Sequence, residues 1–165
     1  MSNKLKLSAG RYWVGDPCYV IKPEYGFEEW SDALDRTEHF SSSEYRNGGI
    51  FRMVSEVNGV PQVGYIAVHG TAYGDGEYMD NYGRFYGVDA GLLSAIPMSS
   101  INGEPESRLG HVVDITEDFS LQYRDGVIGF GNVRIDTDPP NEEEGDICPD
   151  CDEEYYYCTC GGKDV

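Results

Sequence analysis

The sequence predicts an α+β fold, mainly antiparallel β-sheet with one packed helix, followed by a small cysteine-rich C-terminal appendage. Three observations carry this reading. Short apolar runs recur along most of the chain, punctuated by Gly, Pro, Asn and Asp. Two such punctuations, Asn58-Gly59 and Asp125-Gly126, are hairpin turn signals. Helical periodicity is clear once, where Phe27, Trp30 and Leu34 fall at i, i+3 and i+7.

In order, Lys4–Leu7 and Arg11–Val14 read as short strands about Ala9-Gly10. Gly15-Asp16-Pro17 reads as a turn, and Cys18–Ile21 as strand-like. Phe27 to Glu38 is the expected helix, its acidic first turn suiting a helix N-terminus. Ser41–Ser43 and Asn47–Gly49 mark a loop. Ile50–Val57 and Val63–Val68 form a hairpin about Asn58-Gly59. The second strand is apolar on both faces, the pattern of a central, buried strand. His69–Gly76 is a Gly-rich loop. Glu77–Met79 and Arg84–Val88 flank Asp80–Gly83 as a second hairpin, and Gly91–Ile96 is a short apolar segment ended by Pro97. Gly110–Ile115, Phe119–Tyr123 and Val127–Ile135 read as a meander, with Gly129 and Gly131 suggesting a bulge. Asp138-Pro139-Pro140 ends the pattern, dividing a β-rich domain, residues 1–137, from an acidic tail, 138–165.

The chain has 165 residues, enough for one domain with or without an appendage. No run approaches the roughly 20 apolar residues that span a bilayer. The opening MSNKLKLSAG lacks the apolar segment of a secretory signal, so the expected location is cytoplasmic, with no membrane partner. Net charge is −18, and it is unevenly spread: residues 136–165 hold eleven acids against one base. Such a field repels phosphate backbones, which argues against direct nucleic-acid binding. It attracts cations and basic protein surfaces. An acidic inhibitor or DNA mimic acting on a protein partner is one reading. A solvated, solubilising tail is the simpler account of a charge concentrated at one end.

Four of the five cysteines, Cys148, Cys151, Cys158 and Cys160, lie close together as C-P-D-C-x6-C-T-C. In a reducing compartment such a cluster reads as a metal site before a disulfide framework. Zn²⁺ takes four tetrahedral thiolates at about 2.3 Å, and C-x2-C turns two sulfurs inward around one knuckle. The C-x-C half is less usual, although residues i and i+2 of an extended segment share a face. Four cysteines would close the coordination sphere, so the expected zinc is structural. The alternative is a disordered acidic tail.

The loop His69, Gly70, Thr71, Ala72, Tyr73, Gly74, Asp75, Gly76, Glu77, Tyr78 is the most distinctive part of the body. Glycines let backbone N–H groups approach an anion. Tyr73 and Tyr78 could stack a ring, and Arg84 could neutralise a phosphate. No nucleotide-binding fingerprint accompanies them, and a tight β-loop explains each glycine singly. Asp16, Cys18, Tyr19 and Asp89 complete the candidate ligand site. Asp16, Asp75, Glu77, Asp80 and Asp89 could also form a carboxylate cluster for Mg²⁺ or acid–base work, against the plainer reading that Asp beside Gly forms turns. A small hydrolase using Asp, Cys or His is a further alternative, but no histidine pairs with Cys18 in sequence.

Two stretches, GRYWVGDPCYVI (Gly10–Ile21) and GTAYGDGEYMDNYGRFYGVDAGLLSAIP (Gly70–Pro97), resemble a family of small bacteriophage proteins. The resemblance carries no catalytic residue over. It implies a viral accessory protein inside a bacterium, of a kind that counters host defence by binding a host protein or sequestering a nucleotide signal. The expectation is therefore a non-enzymatic protein that binds a small anionic ligand or a host protein. A homo-oligomer is compatible with this reading.

Overall fold

The computed structural model describes residues 5–28, 42–106 and 108–138. Among the described residues ten strands are present: β1 (Gly10–Gly15), β2 (Gly49–Val57), β3 (Val60–Gly70), β4 (Gly76–Met79), β5 (Phe85–Val88), β6 (Leu92–Pro97), β7 (Gly110–Ile115), β8 (Leu121–Arg124), β9 (Val127–Phe130) and β10 (Val133–Asp136). They form a five-stranded sheet of order β2-β3-β6-β1-β7, a three-stranded sheet β10-β9-β8 and the β4-β5 hairpin. Every pairing is antiparallel. With one short helix, α1 (Ser42–Asn47), the fold is α+β and dominated by sheet.

Alternation along the strands splits the core into two layers. On one face of the large sheet, Tyr12, Val14, Ala67, Leu93, Ala95, Val113 and Ile115 pack against Tyr78 and Tyr86 of the hairpin. Ile128, Phe130, Val133 and Ile135 of the small sheet complete this layer. On the other face, Trp13, Met53, Ile66, Val68 and Ile96 are covered by Val20, Ile21, Phe27, Tyr45 and Ile101. Trp13 lies flat on its own sheet: a side chain at Gly15 or Gly110 would meet its ring.

The two Asx-Gly pairs do what their chemistry requires. Asn58 and Gly59 have φ of 51° and 79°, and Asp125 and Gly126 have 50° and 82°, the doubly left-handed geometry of two-residue hairpins. Elsewhere the chain departs from the sequence reading. Cys18–Ile21 is not a strand, because Pro17–Tyr19 forms a 3-10 turn capped by Asp16. Leu7 makes only an isolated bridge, to Phe119, and the strand expected over Phe119–Tyr123 lies at Leu121–Arg124. Val127–Ile135 is two strands rather than one bulged strand. Gly131, at φ 61°, turns the chain between them, and a side chain there would strike Ile115. Phe27 and Glu28 are not helical, and the rest of the expected helix lies outside the described residues. The helix that is described, α1, occupies part of the stretch expected to be loop. It holds because Tyr45 is buried in the second core layer. No helix among the described residues is long and apolar enough to cross a membrane.

Candidate functional site

The expected site residues separate into three places. The first is a buried staple. Asp16 Oδ1 accepts the N–H of Cys18 at 3.0 Å, capping the 3-10 turn, while Oδ2 accepts the N–H groups of Asp89 and Ala90 at 2.8 and 2.6 Å. The carboxylate thus ties the end of β1 to the connection between β5 and β6. Burial pushes its pKa up, and the bonds from Ala90, Cys18 and Asp89 work against that. The Tyr19 hydroxyl donates to Asp89 Oδ2 across the same junction. Burial, then the charge of Asp16, drives the Cys18 thiol far above its ordinary pKa. A nucleophilic cysteine needs the opposite setting, a nearby cation or helix N-terminus that stabilises thiolate.

The second place concerns Arg84, expected to face a phosphate. Its Nε instead donates to Asp80 Oδ2 at 2.7 Å, and its guanidinium covers the Tyr82 ring. Asp80 also accepts the Tyr86 hydroxyl at 2.6 Å and the N–H groups of Tyr82 and Arg84. Burial opposes ionisation of Asp80, but the Tyr86 hydroxyl and the Arg84 contacts outweigh it and hold the carboxyl below its usual range. Next to this hub, Asn81 bonds the backbone of Asn132 and Arg134, docking the tip of the β4-β5 hairpin on the β9-β10 turn. The DNYGR segment is an internal brace.

The third place is an open cleft of about 690 Å³, lined by the 69–75 loop together with Arg46, Asn47, Gly91 and Tyr123. Two elements set its depth. The start of β2 approaches β3 so closely that a side chain at Gly48 would strike the His69 ring, and one at Gly70 would meet the Arg46 backbone at 3.0 Å. From the opposite side β8 presents Tyr123, whose ring stacks on His69 with centroids 3.9 Å apart and planes 11° from parallel. His69 Nδ1 lies 2.7 Å from the Gly70 carbonyl. A carbonyl only accepts, so this nitrogen carries the proton and Nε2 offers a lone pair. Burial lowers the His69 pKa, against the bond to Gly70, and so favours the neutral ring. Arg46 is exposed, forms no ion pair among the described residues and is the fixed positive charge among those lining the cleft.

The loop itself differs from the expected anion nest. The Thr71 hydroxyl accepts the Gly74 N–H at 2.9 Å, the Ala72 N–H goes to Thr137 Oγ1 at 3.0 Å, and the Thr71 N–H goes to Gly91 O. These amides are spent on holding the loop. Gly74, at φ 97°, is needed for its turn. Gly76 opens β4, and the buried Tyr78 hydroxyl ties back to Gly74 O, leaving Tyr73 as the loop's exposed ring. What the cleft offers a ligand is therefore side-chain chemistry: one guanidinium, an imidazole lone pair, the Asp75 carboxylate and two tyrosine rings.

Asp75 lines the cleft, Asp16 and Asp89 form the staple and Asp80 the brace, so the carboxylates expected to cluster are dispersed. Among the described residues no group of three or more His, Cys, Asp or Glu side chains is placed to hold a metal ion. Cys148, Cys151, Cys158 and Cys160 lie outside the described residues. Sequence reading missed Arg46 and Tyr123. Neither belongs to a motif, and only the packing of β3 against α1 and β8 brings them to His69. Comparison with models of protein families, with curated proteins and with solved structures finds no match.

Proposed function

We propose that the protein is a phage accessory protein that acts without catalysis, binding a small anionic ligand such as a nucleotide immune signal and so countering host defence. The observation that carries the reading is the cleft between Arg46, the His69–Tyr123 stack and Tyr73. Its volume lies within the roughly 300–1,000 Å³ of small-molecule sites. A guanidinium matches a phosphate or carboxylate, and exposed tyrosine rings stack a heterocycle at low entropic cost. The remote Cys18 thiol, held protonated, gives a hydrolase little to work with.

Titration calorimetry against a panel of cyclic mono- and dinucleotides tests this. Binding is expected for at least one member, with loss in Arg46→Glu and weakening in Tyr123→Ala. Silence across the panel, or equal binding by both variants, sinks the reading. The net charge of −18 favours a second reading, an acidic inhibitor or DNA mimic directed at a basic host protein. A host-lysate pull-down at low salt that retains no partner removes it. For the tail, the four-cysteine pattern supports a structural Zn²⁺. Native mass spectrometry should show one zinc per chain, lost in Cys148→Ser, and a metal-free mass speaks against it.

A further inference from the structure

The β2-β3 ribbon extends beyond the layer that covers the rest of its sheet face. At one end of this face Ala67 is buried and Ile50 packs against the core. Further along, the pairs Arg52↔Tyr65, Val54↔Val63 and Glu56↔Pro61 stand on the same side. There Val54 is 54% exposed, Val63 55% and Tyr65 46%. Beyond Tyr65 the surface runs into a groove of about 420 Å³ floored by Leu7–Tyr12 and Pro97–Ser99. Among the described residues nothing covers these three adjacent large apolar side chains, and the charges beside them make no ion pair.

The charges indicate what covers this face. Arg52 and Glu56 are exposed and lie two residues to either side of Val54. At about 3.3 Å per residue, some 13 Å separates them along the strand, too far to pair with each other. A two-fold axis lying in the contact plane and crossing the strands at Val54 lays Arg52 of one chain over Glu56 of the other, and the reverse, in one operation. Val54, Val63 and Tyr65 of both copies are then buried between the two ion pairs. An isologous interface requires such a self-complementary pattern. The alternative of joining β2 edges is obstructed, because the outward N–H of Glu56 is already taken by the Gly26 carbonyl at 2.9 Å.

We propose that the protein forms a two-fold symmetric homodimer through the outer face of β2 and β3, with Val54 on the axis and Arg52 paired with Glu56 of the second copy. The inference is independent of the cleft and of any ligand.

Sedimentation velocity and light scattering on the full chain test it, with circular dichroism as a check on folding. The wild type is expected to be dimeric at micromolar concentration, and Val54→Lys monomeric. Arg52→Glu and Glu56→Arg should each raise the dimer Kd by about one to two orders of magnitude, since each turns both pairs into repulsions. The double variant Arg52→Glu/Glu56→Arg re-forms the pairs with signs exchanged and should restore the wild-type Kd. That rescue separates a two-fold contact from general damage to the surface. A monomeric wild type overturns the proposal and leaves the face to a different partner. A dimer that survives Val54→Lys, or a double variant as weak as the singles, overturns it equally.

Discussion

Asp16 belongs to the candidate ligand site expected from the sequence, yet its carboxylate is fully buried and accepts three backbone N–H groups. Asp16→Asn is the sharpest test that this residue is a staple. The amide keeps the shape but has one acceptor oxygen. Turned toward Asp89 and Ala90, it points its NH2 at the Cys18 N–H; turned the other way, it leaves two N–H groups facing an NH2. In the better orientation one buried N–H loses its acceptor, at about 1–3 kcal/mol, while the charge assistance lost from the two remaining bonds is offset by no longer burying a charge. The net cost is about 1–3 kcal/mol. With a urea m-value of roughly 2 kcal/mol/M, the unfolding midpoint should fall by about 0.5–1.5 M. Urea melts followed by tryptophan fluorescence measure it, and Trp13 lies on the affected strand. A midpoint within about 0.3 M of wild type, equivalent to about 0.6 kcal/mol, would refute the assignment. A ligand-binding role would then regain ground, above all if binding were lost while stability held.

Three further outcomes follow from named contacts. Asp80→Asn should cost about 2–3 kcal/mol at pH 7, because the Arg84 guanidinium loses its carboxylate inside a buried hub. The folded pKa of Asp80 lies below its unfolded value, so this contribution is present above about pH 4 and is lost as pH falls through the folded pKa. Melts of the two proteins from pH 7 to pH 2 should show their gap closing only at the acid end; a gap that widens there contradicts the sign. Gly26→Ala should destabilise by at least about 2 kcal/mol, since Gly26 has φ 88° and an added Cβ would overlap the Glu56 carbonyl. A neutral thermal melt would count against that crowding. Removing the stacked ring with Tyr123→Ala should expose His69 and raise its pKa toward the unperturbed 6.5, because burial is what lowers it. An NMR titration of the His69 ring reads the shift directly, and an unchanged value means that other groups bury the imidazole.

Features whose cause lies within a few residues were legible in the sequence. Asn58-Gly59 and Asp125-Gly126 encode their hairpins because a doubly left-handed turn accepts few other pairs. Asp16-Pro17 was legible as a turn, but the reach of its carboxylate to Asp89 and Ala90 was not, since those amides arrive through the β1-β6 pairing. Helix α1 escaped notice because Ser42-Ser43 and Asn47 are poor helix formers, and tertiary burial of Tyr45 overrides their preference. The 69–75 loop was recognisable as unusual. Its partners were not, because Arg46 and Tyr123 reach it through α1 and β8, elements without any motif.

Strand β3 shows what an apolar pattern leaves open. Apolar residues on both faces predict a strand that needs cover on both sides, and β3 does lie between β2 and β6. Ile66, Ala67 and Val68 are buried as that pattern requires. Val63 and Tyr65 are not, because the hairpin and the small sheet pack against the other end of the strand. A binary pattern specifies which side chains favour burial, but it does not say which layer supplies the cover. When the described chain leaves apolar positions open, and the charges flanking them complement their own rotated image, the surface that best satisfies both demands is that same surface on a second copy.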